Sequence, residues 1–187
     1  MADALTITER PGLAIASVMA RKGVGAAAIG EALGLVAPTR PAFVAGTDLA
    51  LLGTGPGTWL AMAETDSLDW ADGLQERLSG LASITDQSSS YVVTRLSGSD
   101  ARRLLRRGLS IDLHPDAFGP GSAATSVIAH IGVIVWQVDD APTYDLAVFR
   151  SLHAGLRHWI EITAASNRAF DDRIVLSAAR HRRARLG

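Results

Sequence analysis

Histidine is the side chain best suited to metal ligation or to proton transfer near neutral pH. This sequence carries five: His114, His130, His153, His158 and His181. No two are four residues apart, the helical spacing that turns a pair toward one zinc ion. His153 and His158 fall on different faces of a helix, and His158 with Glu161 supplies only two ligands on one face. Ser88, Ser89 and Ser90 offer hydroxyls, yet no nucleophile elbow surrounds them. Asp86 followed by these serines reads as a turn whose side chains bond their own backbone. Gly23-Val24-Gly25, with Gly30 beyond, follows an apolar run and opens a helix in the manner of a phosphate loop. Its spacing is not G-x-G-x-x-G and no G-K-S/T occurs, so it reads as a tight turn onto an alanine-faced helix. No catalytic, cofactor-binding or metal-ligating residue is assigned to this chain.

Surface contacts are the better use for what remains. The loop Leu109–Gly121 is long for a compact domain, is stiffened by Pro115 and Pro120, and holds apolar Leu113 and Phe118. His114, just before Pro115, reads as a loop-fixing hydrogen-bonding group. The ending Ala178–Gly187 carries Arg180, Arg182, Arg183 and Arg185 with His181 and no acid. Leu113, His114, Phe118, Arg182 and Arg183 are therefore the candidate partner contacts, with Phe118 as the expected anchor, since buried aromatics dominate interfaces. Arg102, Arg103, Arg106 and Arg107 read as the solvated outer face of a short helix. Against nucleic acid, the net charge is −1 and no aromatic residues interleave with these arginines.

Composition limits the rest. With 187 residues, 48% hydrophobic and 20% charged, the chain has the make-up of one globular domain or two small halves sharing a core. Aromatics are 5%, so the core rests on Ala, Leu, Val and Ile. The absence of cysteine excludes disulfides, thiolate metal sites and a cysteine nucleophile, and fits a cytoplasmic location. No apolar run reaches the roughly 18 residues of a membrane helix, and MADALTITER lacks a signal peptide's order. Residues 1–83 carry 5 basic and 9 acidic side chains, whereas residues 84–187 carry 13 and 10.

The elements that must position these residues follow from periodicity. Leu13–Met19 reads as a strand and Val24–Leu33 as a helix capped by Gly34. Short strands follow at Ala42–Ala45, Leu49–Leu52 and Trp59–Ala63. Ser67–Leu81 reads as a helix through Leu68, Ala71, Leu74, Leu78 and Leu81. The second half repeats the order: strand Tyr91–Ser97, helix Asp100–Arg107 stopped by Gly108, and strands Ala124–His130, Val133–Val138 and Tyr144–Phe149. Ile131-Gly132 and Asp139–Pro142 are their turns, and a final helix spans Leu152–Ile162. The expected fold is α+β, a single domain over residues 1–163 built from two β-α-β-β-β-α halves (about 10–82 and 83–163), with residues 164–187 as a C-terminal extension. Its core is expected to include Leu74, Leu78, Val93, Leu104, Val133, Val135, Leu146 and Trp159.

The stretch ITDQSSSYVVTRLSGSDARRLLRRGLSIDLHPDAFGPG, from Ile84 to Gly121, combines a D-x-S turn, a strand, an S-G-S-D-A helix start and the block I-D-L-H-P-x-A-F. With Gly55-Pro56-Gly57-Thr58-Trp59-Leu60, Tyr144-Asp145-Leu146 and the Ser151–Glu161 segment, it resembles the gamma-subunit family of heterotetrameric sarcosine oxidases. That family is related to the aminomethyltransferase domain of the glycine-cleavage system. The resemblance implies a fold like the folate-binding domain of aminomethyltransferases. It also implies a noncatalytic structural and assembly role beside alpha-, beta- and delta-type subunits, with flavins, NAD and tetrahydrofolate in those partners and none in this chain. Folate-handling relatives use an Asp near the N-terminal strands, whereas Leu5–Met19 offers only Glu9. A stand-alone tetrahydrofolate-binding or RNA-associated module is the alternative.

Overall fold

A computed structural model describes residues 4–167. Ten strands form two antiparallel five-stranded sheets. The first half supplies β2 (Leu13–Ala20), α1 (Ala26–Leu33), β3 (Phe43–Ala45), β4 (Ala50–Gly55), β5 (Thr58–Glu64) and α2 (Trp70–Arg77). The second supplies β7 (Tyr91–Ser97), α3 (Ala101–Leu105), β8 (Ala123–Ile128), β9 (Ile131–Asp139) and β10 (Thr143–Phe149). A single 3₁₀ turn, Arg150–Leu152, then leads into α4, residues 153–167. Two short strands precede the halves: β1 (Thr6–Glu9) before β2, and β6 (Ala82–Asp86) before β7.

Alternating side chains sort the residues into layers, because successive strand residues point to opposite faces. Ala16, Val18, Leu51, Trp59 and Ala61 pack outward against Ile29, Leu33, Leu74 and Leu78 of α1 and α2. Leu96, Val133, Val135, Tyr144 and Leu146 pack outward against Leu104 and Leu105 of α3 and Leu156 and Ile160 of α4. Between the sheets lie Ile15, Leu52, Leu60 and Met62 from one and Val93, Trp136 and Ala147 from the other. The molecule is thus helix, sheet, sheet, helix, with three apolar layers. Leu104 is fully buried, so Leu104→Ala costs about 2–5 kcal/mol.

The strand orders are β3-β4-β5-β2-β6 and β8-β9-β10-β7-β1 (the second written from its β8 edge). Each sheet is a three-stranded meander, then the first strand of the same half, then an edge strand lent by the other half's leading segment. β1 pairs with β7, Glu9 opposite Thr94, and β6 pairs with β2, Asp86 opposite Ala16. The next residues continue the match: Arg10 N–H donates to Val93 O at 2.9 Å, and Gln87 N–H to Ile15 O at 2.7 Å. Leu13–Met19 and Tyr91–Ser97 therefore hold equivalent places, as the repeated element order implies.

Several expectations need correction. β1 and β6 were not anticipated; Asp86 ends a strand as well as beginning a turn. The second helix covers Trp70–Arg77 alone, and Leu68 is 95% exposed instead of packed inward. No side chain caps α2 or α3. Trp159 is only partly buried, lying over Gly108, where a methyl group would come within 2.4 Å of its ring. That contact, beyond helix termination, is what demands glycine there. Residues 164–167 continue α4, and Ala164 joins the core. The turn between β8 and β9 is Ala129-His130, both at positive φ (48° and 67°), and Gly132 lies inside β9.

Candidate functional site: a buried charge cluster and an open sheet face

Strand β10, TYDLAVF, is buried from Thr143 to Val148. An acid in such a run must find charged or hydrogen-bonding partners, because a lone buried carboxylate is costly. Asp145 points between the sheets and is 0% exposed. Its Oδ1 accepts Arg95 Nε at 2.7 Å, and its Oδ2 accepts Arg95 Nη2 and Arg10 Nη1, each at 2.8 Å. Arg95 is its registered neighbour on β7. Arg10 comes from the crossover between β1 and β2, and its other nitrogen bonds Glu64 at the end of β5. One guanidinium therefore ties a carboxylate of each sheet together. The bond to Asp145 also raises the Arg95 pKa above its ordinary value. These four residues form a clasp between the two sheets, closed at Asp145 and exposed at Glu64.

The D-x-S turn is engaged in the same way. Asp86 Oδ1 accepts Ser88 N–H at 2.8 Å and Ser88 O–H at 2.6 Å, which holds the Asp86 carboxyl below its ordinary 3.8. Ser88 Oγ also accepts Ile15 N–H at 3.0 Å. The serine is thus a fastener between β2 and the entry to β7. On the outer face, a cleft of about 370 Å³ lies between β1 and α4. There His153 Nε2 lies 3.4 Å from Thr94 Oγ1 and 3.7 Å from Glu9, and Arg157 holds Glu161. Glu9 lines this cleft, half-exposed, with Arg157 Nη1 4.0 Å away.

The candidate interface loop is different from its expected form. Leu113 and Phe118 are 1% and 6% exposed and belong to the core under the second sheet, with Phe118 stacked on Tyr144 at 6.5 Å. They are therefore not available as surface anchors. The loop is folded inward because its apolar residues complete the layer that the five-residue α3 is too short to cover. His114 remains exposed, and its Nδ1 accepts Asp116 N–H at 3.3 Å, a loop-fixing role as anticipated. Arg182 and Arg183 lie outside the described residues. Arg106 and Arg107 are exposed as expected, whereas Arg102 and Arg103 are partly buried and engaged: Arg102 Nε donates to Tyr144 Oη at 2.9 Å and Arg103 Nη2 to Asn167 O at 3.1 Å. Burial raises the Tyr144 pKa, and Arg102 opposes that shift.

One part of the described surface is apolar and aromatic. Tyr91 and Phe149 are opposite each other across β7 and β10, stacked at 4.8 Å, with Phe149 50% exposed. Gly132 opposes Val127, itself 51% exposed. The second sheet's inner face thus continues past the cover of the first. Among the described residues no group of three or more His, Cys, Asp or Glu could hold a metal, and no helix is long and apolar enough to cross a membrane.

Two sheets whose halves exchange their leading strands give the chain a fold like that of an aminomethyltransferase. The chain matches the glycine cleavage system aminomethyltransferase T from Bartonella henselae with a TM-score of 0.59, at 10% identity, over 84% of this chain and 45% of that one. More particularly, residues 19–167 match the model of the sarcosine oxidase, gamma subunit family, and the chain belongs to that family. It is 36% identical to the sarcosine oxidase subunit gamma of an Arthrobacter species, over 73% of this chain and 68% of the relative. It is 34% identical to that of Corynebacterium sp. strain P-1, over 65% of this chain and 61% of the relative. Less than two thirds of the latter's length is therefore spanned. Among solved structures it is similar to a chain of the heterotetrameric sarcosine oxidase from Corynebacterium sp. U-96 in complex with pyrrole 2-carboxylate. That match has a TM-score of 0.77 at 28% identity and covers 87% of this chain and 84% of that one.

Proposed function

We propose that this chain is a noncatalytic assembly subunit of a heterotetrameric, flavin-dependent sarcosine oxidase. The complex demethylates sarcosine oxidatively to glycine and passes the one-carbon unit to tetrahydrofolate. Flavins, NAD and tetrahydrofolate belong to the alpha-, beta- and delta-type partners, and the complex is cytoplasmic. The observation that carries this reading is the likeness, over 87% of the chain, to a chain of such a heterotetramer. The local chemistry supports it. Asp145, Arg10, Arg95, Asp86 and Ser88 spend their bonding capacity inside the fold, where they brace the two sheets. A scaffold with an internally satisfied charge cluster and an open apolar face is suited to assembly.

The test is co-expression of the full chain with the other three subunits. The expected result is a yellow complex of four chains that oxidises sarcosine, and a colourless isolated chain with no oxidase activity. Failure to enter such a complex, or flavin absorbance in the partner-free chain, overturns the reading. Tetrahydrofolate binding by the isolated chain would favour the folate-binding alternative.

A further inference from the structure

The inner face of the second sheet ends in a row that the first sheet does not cover. Tyr91 pairs with Phe149, and Gly132 pairs with Val127. Ala147 pairs with Ile134, so carrying that register on by two residues sets Gly132 level with Phe149. The row is therefore Tyr91, Phe149, Gly132 and Val127, backed by Ile134. A methyl group at Gly132 would meet no atom within 4 Å. The glycine does not have positive φ, so its backbone conformation does not require it. It leaves a notch in the apolar row, flanked by the half-exposed Phe149 and Val127. Large exposed apolar groups are ordinary when single; a contiguous row marks a contact surface.

The rim of this row is basic. Arg150 follows Phe149 directly, and its guanidinium is pinned to Ser89 O at 2.7 Å and Tyr91 O at 3.2 Å, which fixes its charge beside the aromatic pair. His130 sits in the adjoining hairpin turn. The segments that build the surface, residues 90–93, 125–134 and 147–152, contain no Asp or Glu. A second copy of the chain docked face to face would set one basic rim against another. The segment beyond residue 167 is a poor complement too, since it carries six arginines and two aspartates.

We propose that the Tyr91–Phe149–Gly132–Val127 row receives an apolar side chain of a different subunit, seated in the Gly132 notch and bordered by carboxylates that face Arg150 and His130. The inference rests on the assembly-subunit reading and assigns it a surface. Seating a knob in a notch excludes water from both, and such well-packed centres carry most of the energy of an interface. Acidic borders on the partner would steer it to the basic rim.

The test is competitive co-expression of the full chain and its variants with the other three subunits, beside thermal melts of each isolated variant. Gly132→Val fills the notch with a residue well suited to a strand. The isolated chain is expected to melt at the wild-type temperature or above, while its incorporation into the complex falls at least about tenfold. Leu68→Ser, at an exposed apolar residue of the first half, is expected to assemble as wild type does. Equal incorporation of Gly132→Val and wild type overturns the surface alone. A wild-type chain that joins none of the three subunits overturns the subunit reading and the surface with it. Should Gly132→Val lower the melting temperature, Val127→Glu on the edge strand replaces it, with the same tenfold expectation and the same overturning result. A wild-type dimer that Gly132→Val dissociates would make a second copy the occupant. Truncation after Asn167 that exposes new dye-binding apolar surface would make the chain's own extension the occupant. Either result overturns the proposal.

Discussion

Strand β10 carries a buried acid at one end and an exposed aromatic ring at the other. Asp145 and Phe149 point to the same face of the same sheet, yet Asp145 is 0% exposed and Phe149 is 50% exposed. The usual preference, charge outside and ring inside, is reversed along a single strand. The difference lies in what each end finds. Asp145 finds two guanidinium groups, and through Arg10 it reaches the other sheet. Phe149 finds Tyr91 on one side and an open notch on the other. The acid's needs are met within the chain, whereas half of the ring stays open to solvent. One end holds the halves together and the other is available for assembly.

The comparison can be broken first at its charged end. Asp145→Ala leaves two guanidinium groups facing each other without their shared acceptor, and it is expected to cost about 3–5 kcal/mol in urea unfolding. A loss under about 1 kcal/mol would mean that water or Glu64 replaces the carboxylate and that the clasp is ornamental. Phe118→Ala tests whether the Pro-stiffened loop belongs to the core. Core truncation of this kind costs about 3–5 kcal/mol, so the isolated chain is expected to lose that stability before any partner is added. A variant that melts normally but fails to assemble would return Phe118 to the interface.

At the open end the order of effects reverses. Phe149→Ala is expected to cost under about 1 kcal/mol in the isolated chain, since half of the ring is already wet and only the Tyr91 stack is lost. Its entry into the complex is expected to weaken about tenfold, read by the same competitive co-expression. Next to it, Ala129 and His130 form a two-residue hairpin turn with positive φ at both positions, a conformation that Asn-Gly adopts far more readily. The double change Ala129→Asn, His130→Gly is expected to stabilise the isolated chain by about 1 kcal/mol or more, measured by thermal melt. No gain would mean that the turn is not strained.

The smallest effect concerns the D-x-S turn. Ser88 holds the Asp86 carboxyl below 3.8 in the folded chain. A depressed folded value contributes stability that is complete above the unfolded value and is lost as pH falls through the folded one. The stability difference between wild type and Asp86→Asn is therefore expected to be flat above pH 3.8 and to shrink below it. A difference that grows on acidification would contradict the assigned cause.

Periodicity was enough for much of this fold. The eight strands and four helices of the repeating halves were readable because each carries a local pattern, alternating or recurring at three and four residues. Leu74, Leu78, Val93, Leu104, Val133, Val135 and Leu146 were identified as core and are buried. The strands missed, TITE and ASITD, are four and five residues long and mostly polar. Their partners lie in the opposite half of the chain, so nothing local marks them as strands. Gly132 was misread for a related reason. Glycine is the strongest local signal for a turn, and here that signal was overridden by a turn made of Ala129 and His130.

The sequence by itself determined the repeat, the D-x-S turn, the lack of a thiol site and the family, because short-range spacing and residue identity carry those properties. Tertiary structure alone decided which charges and which rings meet water. Asp145 is harmless only because Arg10 and Arg95 arrive from segments 135 and 50 residues away. Leu113 and Phe118, which look like an exposed anchor when read in order, are consumed by a core that a five-residue helix leaves uncovered. Burial depends on which surfaces two sheets happen to cover, and that is a property of how the halves pack, not of any stretch of residues within them.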